Sequence, residues 1–253
     1  NQGMLSHLAV ISAQGPEAGA FLQGQLTQDV QSMTASEARA GGFCSAKGRL
    51  LGTFVILHPE PQTWWFITHA GVAPALVKRL KMFVLRAKCT VTERTDLVVQ
   101  GVEDATLTPW QVKTDGPGAE FPSSTVTVGW FAGRAFRIVG DAASANSLSE
   151  AAWRHADVLA GWPWIEPSTV EQFVPQMVNF EVLDGVNFRK GCYPGQEVVA
   201  RSQYRGTLKR RMALYRLQGP VPSAGTEIFD PQDPDQPAGQ VVNAAAEPAE
   251  RSD

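Results

Sequence analysis

The order of apolar segments along the first hundred or so residues constrains the fold of this chain more than any other feature. Short β-branched and aromatic runs predict strands, and apolar residues at helical spacing predict helices. In chain order the segments are Leu8–Ile11 (strand), Glu17–Leu26 (helix), Leu50–Leu57 and Trp64–Thr68 (strands), Ala73–Leu85 (helix), Cys89–Glu93 and Leu97–Gly101 (strands). This order is that of the split βαβ, or ferredoxin-like, motif. The sequence therefore predicts an α+β protein.

The middle of the chain repeats the alternation less clearly. A stretch dense in Gly, Pro, Asp and Ser at Lys113–Ser124 predicts a flexible connection. Strands at Thr125–Trp130 and Ala135–Val139 and a helix at Ser147–Ala160 follow it. These elements indicate a second ferredoxin-like half.

The last part of the chain predicts a small, partial C-terminal β-barrel. Leu208–Leu217 alternates between apolar and polar residues, and Gly225–Phe229 and Ala238–Val242 also predict strands. A closed barrel needs more strands than these. We therefore divide the chain into a first subdomain at 1–110, a second subdomain that carries a cysteine motif at 111–205, and a partial barrel at 206–253.

Charge and cysteine usage exclude several classes of protein. The 253 residues carry a formal net charge of −3, which argues against a general nucleic-acid binder because such proteins need a basic face. The sequence has no apolar run of roughly 18 residues, so we expect no membrane span. Cys44, Cys89 and Cys192 are widely spaced, and the histidines lack the spacing of metal ligands. We expect free thiols, no metal site and a cytoplasmic protein.

Asn187–Arg201 is the most unusual stretch of the sequence. Two glycines and a proline surround Cys192, which predicts a bent loop that carries the thiol. Lys190 precedes the cysteine and Pro194-Gly195 predicts a helix start; a nearby cation and a helix N-terminus lower the pKa of a thiol. The alternative is a partly buried structural cysteine, since free cysteine is among the most buried residue types. The residues alone leave both interpretations open.

Four blocks in this order resemble the YgfZ-type folate-binding proteins, which are related to the aminomethyltransferase (T-protein) of the glycine cleavage system. The blocks are Phe21–Val30, Cys44–Leu50, Phe173–Phe180 and Lys190-Gly191-Cys192-Tyr193-Pro194-Gly195-Gln196-Glu197. The cysteine block is the most specific of the four. The family motif falls on Lys190, Gly191, Cys192, Tyr193, Gly195, Gln196, Glu197 and Arg201.

The resemblance implies a ring of three subdomains around a folate-sized hole, the last being a small barrel. It implies binding of tetrahydrofolate or a one-carbon derivative and a role as accessory protein in iron–sulfur cluster assembly or repair. The implied partners are iron–sulfur proteins or their assembly machinery, with enzymes that methylthiolate tRNA among the clients. Cys192 takes the place of the functional thiol. We expect no direct nucleic-acid contact, and a monomer is the default.

The chain departs from the T-protein at one informative place. That enzyme carries an aspartate on the strand after its glycine-containing loop, whereas Gly48–Phe54 has no carboxylate here. Without a positioned acid or base, general acid–base catalysis is missing. We therefore expect an accessory protein rather than a classical enzyme. A folate-dependent one-carbon transferase and a thiol-based binding module that uses no folate remain the alternatives.

Folate has an aromatic pteridine and an anionic tail, so its site needs apolar walls, amide or carboxylate partners and a cation. On the resemblance, these contacts fall on Gln23, Gln25, Asp29, Lys47, Arg49, Gln176, Asn179 and Glu181. Capping chemistry after the first helix is the other interpretation for Gln25 and Asp29, and a solvated loop tip is the other for Lys47 and Arg49. Trp162-Pro163-Trp164 is a further pocket candidate.

A basic stretch follows the cysteine motif. Its members are Arg201, Arg205, Lys209, Arg210 and Arg211. Such a stretch contacts RNA or an acidic partner in some proteins, but in an acidic protein a solvated face is the commoner explanation.

Overall fold

The computed structural model describes residues 4–115, 125–140, 148–206 and 208–248. Its N-terminal part is a five-stranded antiparallel sheet with two helices packed on one face. The elements are β1 Leu8–Gln14, α1 Ala18–Gln23, β2 Ala38–Cys44, β3 Leu50–Glu60, β4 Thr63–His69, α2 Ala73–Val84 and β5 Thr90–Glu93. The strands pair in the order β2-β3-β4-β1-β5, so the first and last strands of this unit lie side by side.

The edge strand β2 is absent from the sequence-based prediction. Gly41 and Gly42 lie in its middle, and glycine weakens the strand signal because it has no side chain to pack on a pleated surface. Pairing with the strongly β-forming β3 overrides this local preference.

The second sheet has four strands in the order β6-β9-β8-β7. Its elements are β6 Val98–Glu103, β7 Val112–Asp115, β8 Thr125–Trp130 and β9 Arg134–Val139, followed by α3 Glu150–Leu159. The Ser149 hydroxyl caps α3 by accepting a hydrogen bond from the Ala152 backbone N–H. Part of the connection predicted at 113–124 belongs to β7, and residues 116–124 lie outside the described residues, as does residue 147 of the predicted helix.

After α3 the chain is mostly irregular. It contains the 3₁₀ turns Pro167–Thr169 and Pro175–Val178, the helix α4 Gln196–Tyr204, and the antiparallel pair β10 Glu227–Asp230 and β11 Asp233–Gln240. The strand predicted at Leu208–Leu217 is wrong: these residues form no strand, and Leu214, Tyr215 and Leu217 are exposed. Alternation stabilises a strand only when a neighbouring strand pairs with it. The described residues after Arg205 contain only the pair β10–β11, so no closed barrel is found in them.

The core lies on both faces of the first sheet. On one face, Leu22 of α1 and Leu76 of α2 pack on strand residues such as Phe54. On the other face, strand side chains pack with those of the second sheet and with the buried indoles of Trp130, Trp153 and Trp162. None of the described helices has the length and apolarity to cross a membrane.

Candidate functional site: the cysteine loop and its supports

The cysteine motif forms a loop that ends where α4 begins. The thiol of Cys192 is exposed, whereas the adjacent Tyr193 is buried, and burial raises the pKa of its phenol. The structural-cysteine interpretation of Cys192 is therefore wrong. Among the three cysteines it is Cys44 that is buried, and desolvation raises the pKa of its thiol to about 12.

The segment leading into the loop is fixed by the turn that follows α1. The Thr27 hydroxyl donates to the Gly185 carbonyl oxygen at 2.6 Å, and the Asn187 N–H donates to the Thr27 carbonyl oxygen at 2.8 Å. The Gln28 side-chain amide donates to the carbonyl oxygens of Asp184 and Ala40. Because these bonds are buried or partly buried, they hold the start of the cysteine loop firmly against the first sheet.

The end of the loop packs on the hairpin between β2 and β3. Gly48 at the tip of this hairpin and Gly195 before α4 both have positive φ, +71° and +78°. A Cβ atom added to Gly195 would lie 2.4 Å from the Ser45 carbonyl oxygen. The two backbones therefore touch with no room for a side chain between them.

Lys190 connects the loop to the end of α1. Its Nζ donates to the Gln23 carbonyl oxygen at 2.6 Å and lies 4.8 Å from the centre of the Tyr193 ring. Burial lowers the pKa of Lys190 to about 8, and the charges of Asp29 and Cys192 act in the opposite direction. The ammonium group of Lys190 therefore ties the cysteine loop to the end of α1.

We expect Lys190→Met to lower the free energy of unfolding by about 1–3 kcal/mol, because it leaves the partly buried Gln23 carbonyl oxygen without its donor. Urea unfolding measures the difference. Arg189→Met is the matched control: it removes the neighbouring exposed cation, and its free energy of unfolding should equal that of the wild type. Equal stabilities for all three proteins would contradict the role assigned to Lys190.

Three of the residues predicted to bind folate lie on one segment. The Gln176 amide donates to the Val199 carbonyl oxygen of α4 at 2.8 Å. Asn179, in the left-handed region at φ +55°, donates its amide to the Met212 carbonyl oxygen and accepts from Arg211. The Arg211 guanidinium also pairs with one oxygen of Glu181, whose side chain is only 9% exposed. Arg211 thus ties the segment after α4 to this group.

The predicted folate residues near α1 divide into two kinds. Gln23 and Asp29 bond to each other and to backbone or hydroxyl groups of the following turn. Burial alone would raise the pKa of Asp29, but hydrogen bonds from Ser32 and Gln23 more than offset it and lower the pKa. Gln25 is partly buried, and its side-chain oxygen has no hydrogen-bond partner among the described residues.

Lys47 and Arg49 lie on the β2–β3 hairpin that touches the cysteine loop. The Arg49 guanidinium donates to the Gln172 carbonyl oxygen at 2.8 Å. Lys47 is exposed, and its ammonium group makes no hydrogen bond or ion pair within the described ranges. Lys47 is therefore a free cation beside the segment that contains Gln176.

The other motif residues are less constrained. Glu197 and Arg201 form an exposed ion pair one turn apart on α4, which contributes little to stability. Gln196 begins the helix, and Gly191 is exposed. The described residues contain no group of three or more His, Cys, Asp or Glu side chains placed to hold a metal ion.

Two cavities lie away from these residues. One of about 20 Å³, room for about one water molecule, is lined by Trp162 and Trp164 together with His7, whose pKa burial lowers to about 3. The other is an open groove of about 540 Å³ against α2 and β5. Neither is lined by a residue predicted to bind folate. The tryptophan pair therefore lines a cavity, but one far too small for folate.

Comparison with known proteins decides the family. No protein-family model matches the chain. The chain is 31% identical over 245 residues to the tRNA-modifying protein YgfZ of Klebsiella pneumoniae (strain 342), with 88% of this chain and 74% of that protein covered. It is 33% identical, with the same coverage, to the tRNA-modifying protein YgfZ of Sodalis glossinidius (strain morsitans). The chain belongs to the YgfZ family.

The fold of this YgfZ-family chain is that of an aminomethyltransferase. It is similar to the crystal structure of the glycine cleavage system aminomethyltransferase T from Bartonella henselae, with a TM-score of 0.69. The match covers 95% of this chain and 72% of the other, at 16% identity. The mixed α/β architecture is therefore shown, as is the family resemblance read from the four sequence blocks.

Sequence reasoning missed three residues that support the site of this YgfZ-family protein. Thr27 and Gln28 lie inside the first matched block, but only the structure shows that they bind residues 158 and 156 positions later in the chain. Arg211, a member of the predicted basic stretch, pairs with Asn179 and Glu181. The sequence carries no local signal for the first two, because five of the ten residues in that block are polar.

Proposed function

We propose that this chain is a tetrahydrofolate-binding accessory protein for the assembly or repair of iron–sulfur clusters. Tetrahydrofolate or a one-carbon derivative is the ligand, and Cys192 is the functional thiol. The relatives bear the name tRNA-modifying protein, which supports tRNA-modification enzymes as clients. The exposure of Cys192 on a firmly held loop supports a task performed on a partner rather than inside a core.

Three unpartnered oxygen atoms carry the folate part of the proposal. Gln25 Oε1, Gln176 Oε1 and Glu181 Oε2 are buried and have no hydrogen-bond partner within the described residues. A buried acceptor without a donor costs about 1–3 kcal/mol. All three belong to the set predicted to contact folate, and a ligand that bears N–H donors would satisfy them.

The chemistry of these atoms fits a reduced pteridine. Its ring nitrogens and amino group are N–H donors, and buried amide and carboxylate oxygens are their natural acceptors. The segment of Gln25 is joined to that of Glu181 through the bonds of Thr27 and Gln28 to residues 184–187. Lys47 supplies a free cation for the glutamate tail.

We further propose that the chain acts in the cytoplasm and is organised as a first folate-binding subdomain at 1–110, a second at 111–205 and a partial barrel at 206–253. The two folate-binding subdomains are taken as ferredoxin-like halves. The order β3-β4-β1-β5 within the first sheet supports this for the first half. Partners other than folate are iron–sulfur proteins or their assembly machinery.

An anaerobic calorimetric titration with tetrahydrofolate tests the folate site. We expect one-to-one binding that Glu181→Gln weakens by roughly tenfold or more, because a hydrogen bond to a charged group contributes about 1.5–3 kcal/mol. Glu171→Gln makes the same chemical change at an exposed carboxylate of the neighbouring segment and should leave the Kd unchanged. Cys192→Ala should also leave it unchanged, since the thiol has a separate task.

A urea unfolding curve of each variant checks that the variant is folded. Absence of saturable binding by the wild-type protein would remove folate from the proposal. Equal weakening by Glu181→Gln and Glu171→Gln would place the ligand elsewhere.

A folate-dependent one-carbon transferase is the second candidate, favoured by the likeness to aminomethyltransferase T. The start of strand β3 argues against it, because Leu50–Phe54 carries no carboxylate. Thr53 is the polar side chain of this stretch, and its hydroxyl donates to the Pro163 carbonyl oxygen at 2.7 Å. Turnover of an aminomethyl donor with tetrahydrofolate would establish this candidate and displace the first.

A further inference from the structure

The C-terminal end of α2 presents apolar side chains to solvent. Met82, Phe83 and Leu85 are 66%, 43% and 86% exposed. They are not needed for the core, because α2 already buries Ala73, Leu76, Val77 and Leu80 against the sheet. Exposed apolar side chains that cluster within a polar surround mark interaction surfaces.

The same end of α2 is basic. Lys78, Lys81, Arg86 and Lys88 are exposed, and none of them forms a side-chain ion pair with another described residue. Four exposed cations in eleven residues contrast with the net charge of −3 of the whole chain. We call these cations and the three apolar residues the basic–apolar patch.

A groove and a strained residue belong to the patch. The open groove of about 540 Å³ between α2 and β5 is lined by the two cations Lys78 and Lys81, one carboxylate, and Pro74, Val77 and Thr92; the carboxylate is that of Glu93. Leu85, which ends α2, has φ +47° and ψ −105°, a backbone conformation that is costly for a side-chain-bearing residue. This conformation ends the helix at the position where the apolar side chains are exposed.

The helix α1 connects the patch to the cysteine loop. At its start, the Lys88 N–H donates to the Glu17 carboxylate at 2.7 Å, and the Glu17 N–H donates to the Lys88 carbonyl oxygen. At its end, Lys190 donates to the Gln23 carbonyl oxygen at 2.6 Å. Glu17 and Gln23 are six positions apart, a length of about 9 Å along the helix at 1.5 Å per residue. A partner that covers a standard interface area would reach both.

We propose that the basic–apolar patch docks a protein partner that has an apolar pocket with an acidic rim, and that this partner presents its reactive centre to Cys192. Charge complementarity requires the acidic rim, and Met82, Phe83 and Leu85 are the anchors. RNA phosphates would use the cations but not three apolar side chains. A bilayer needs a wide apolar face, and the apolar face of α2 is buried in the core. The second half of the inference rests on the proposed role of Cys192.

The test places the photo-crosslinker benzoylphenylalanine at Met82 or at Arg189 of the full chain in living bacteria, where both positions are exposed. After irradiation, the adducts are purified and identified by mass spectrometry. We expect the same acidic protein from both positions, because the patch and the cysteine loop lie one short helix apart. Lys78→Glu/Lys81→Glu should lower the adduct yield at Met82 by roughly tenfold, since like charges then face the acidic rim.

Lys209→Glu/Arg210→Glu is the control, because it changes the net charge by the same amount at exposed residues outside the patch; its yield should equal that of the unaltered protein. Adducts with RNA or lipid only, different proteins from the two positions, no adduct at all, or equal losses in both double variants would each overturn the proposal.

Tetrahydrofolate titration of the same variants separates the docking proposal from the proposed folate binding. Normal folate binding without the adduct defeats only the docking surface, and the adduct without folate binding defeats only the folate role.

Discussion

Gly195→Ala is expected to lower the free energy of unfolding by about 3 kcal/mol and to release the cysteine loop from the first sheet. Gly195 has φ +78°, and alanine in the left-handed region costs roughly 1–2 kcal/mol. The new Cβ would also lie 2.5 Å from Gly48 Cα and 2.4 Å from the Ser45 carbonyl oxygen. Both are backbone atoms, which cannot rotate away, so overpacking adds about 1–3 kcal/mol.

Urea unfolding gives the loss of stability, and hydrogen exchange of the α4 amides reports the release of the loop. Gly191→Ala is the control from the same motif: no heavy atom lies within 4 Å of its added Cβ, so we expect a change within about 0.5 kcal/mol. A loss at Gly191 as large as that at Gly195 would mean that the motif tolerates no side chain anywhere. The contact with the β2–β3 hairpin would then not be the cause.

The sequence predicted the parts of the fold whose signal is local. The strands at Leu50–Leu57 and Trp64–Thr68 are dense in β-branched and aromatic residues, and both lie within observed strands. Leu208–Leu217 carries an equally clear alternation but forms no strand in the described part of the chain. Alternation reports which side chains prefer burial, whereas strand formation also requires a partner edge, and the sequence does not contain that information.

In the candidate site, too, the features with a local sequence signal were predictable and those that depend on distant segments were not. Gly and Pro around Cys192 predict a bent loop, and the structure places the thiol in solvent there. The supports of that loop could not be predicted, because Thr27 and Gln28 act on Gly185 and Asp184 through contacts that span most of the chain. Burial of Gln176 and Glu181 likewise depends on how distant segments meet, so their unpartnered oxygens appear only in the folded structure.

Asp157→Ala is expected to lower the free energy of unfolding by about 3–5 kcal/mol, the usual result of leaving a buried charge without its partner. The carboxylate of Asp157 accepts from the indoles of Trp130 and Trp164 and pairs with Arg134 at 3.0 Å. The side chains of Asp157 and Arg134 are 2% and 5% exposed. Removing the carboxylate leaves two indole N–H groups without an acceptor, and it leaves the guanidinium charge with only the carbonyl oxygens of Phe131 and Trp153.

The pKa directions indicate what this pair contributes. Burial raises the pKa of Asp157 despite Arg134 and the indoles, and burial lowers the pKa of Arg134 despite Asp157. Desolvation therefore outweighs the attraction, and an apolar pair of similar size should be tolerated better than a single deletion. We expect Arg134→Met/Asp157→Leu to lose less stability than Asp157→Ala.

Asp96→Ala is the matched control, because Asp96 also pairs with an arginine, Arg94, but half of its side chain is exposed. We expect a change of at most about 1 kcal/mol there. Urea unfolding of all four proteins measures the differences. If Asp157→Ala and Asp96→Ala lower the free energy of unfolding equally, water reaches Arg134 in the Asp157 variant. The packing of the second sheet around its tryptophans would then be looser than in this structure. If the apolar double variant is the least stable, the ion pair stabilises the fold directly, and its desolvation is offset by the three donors.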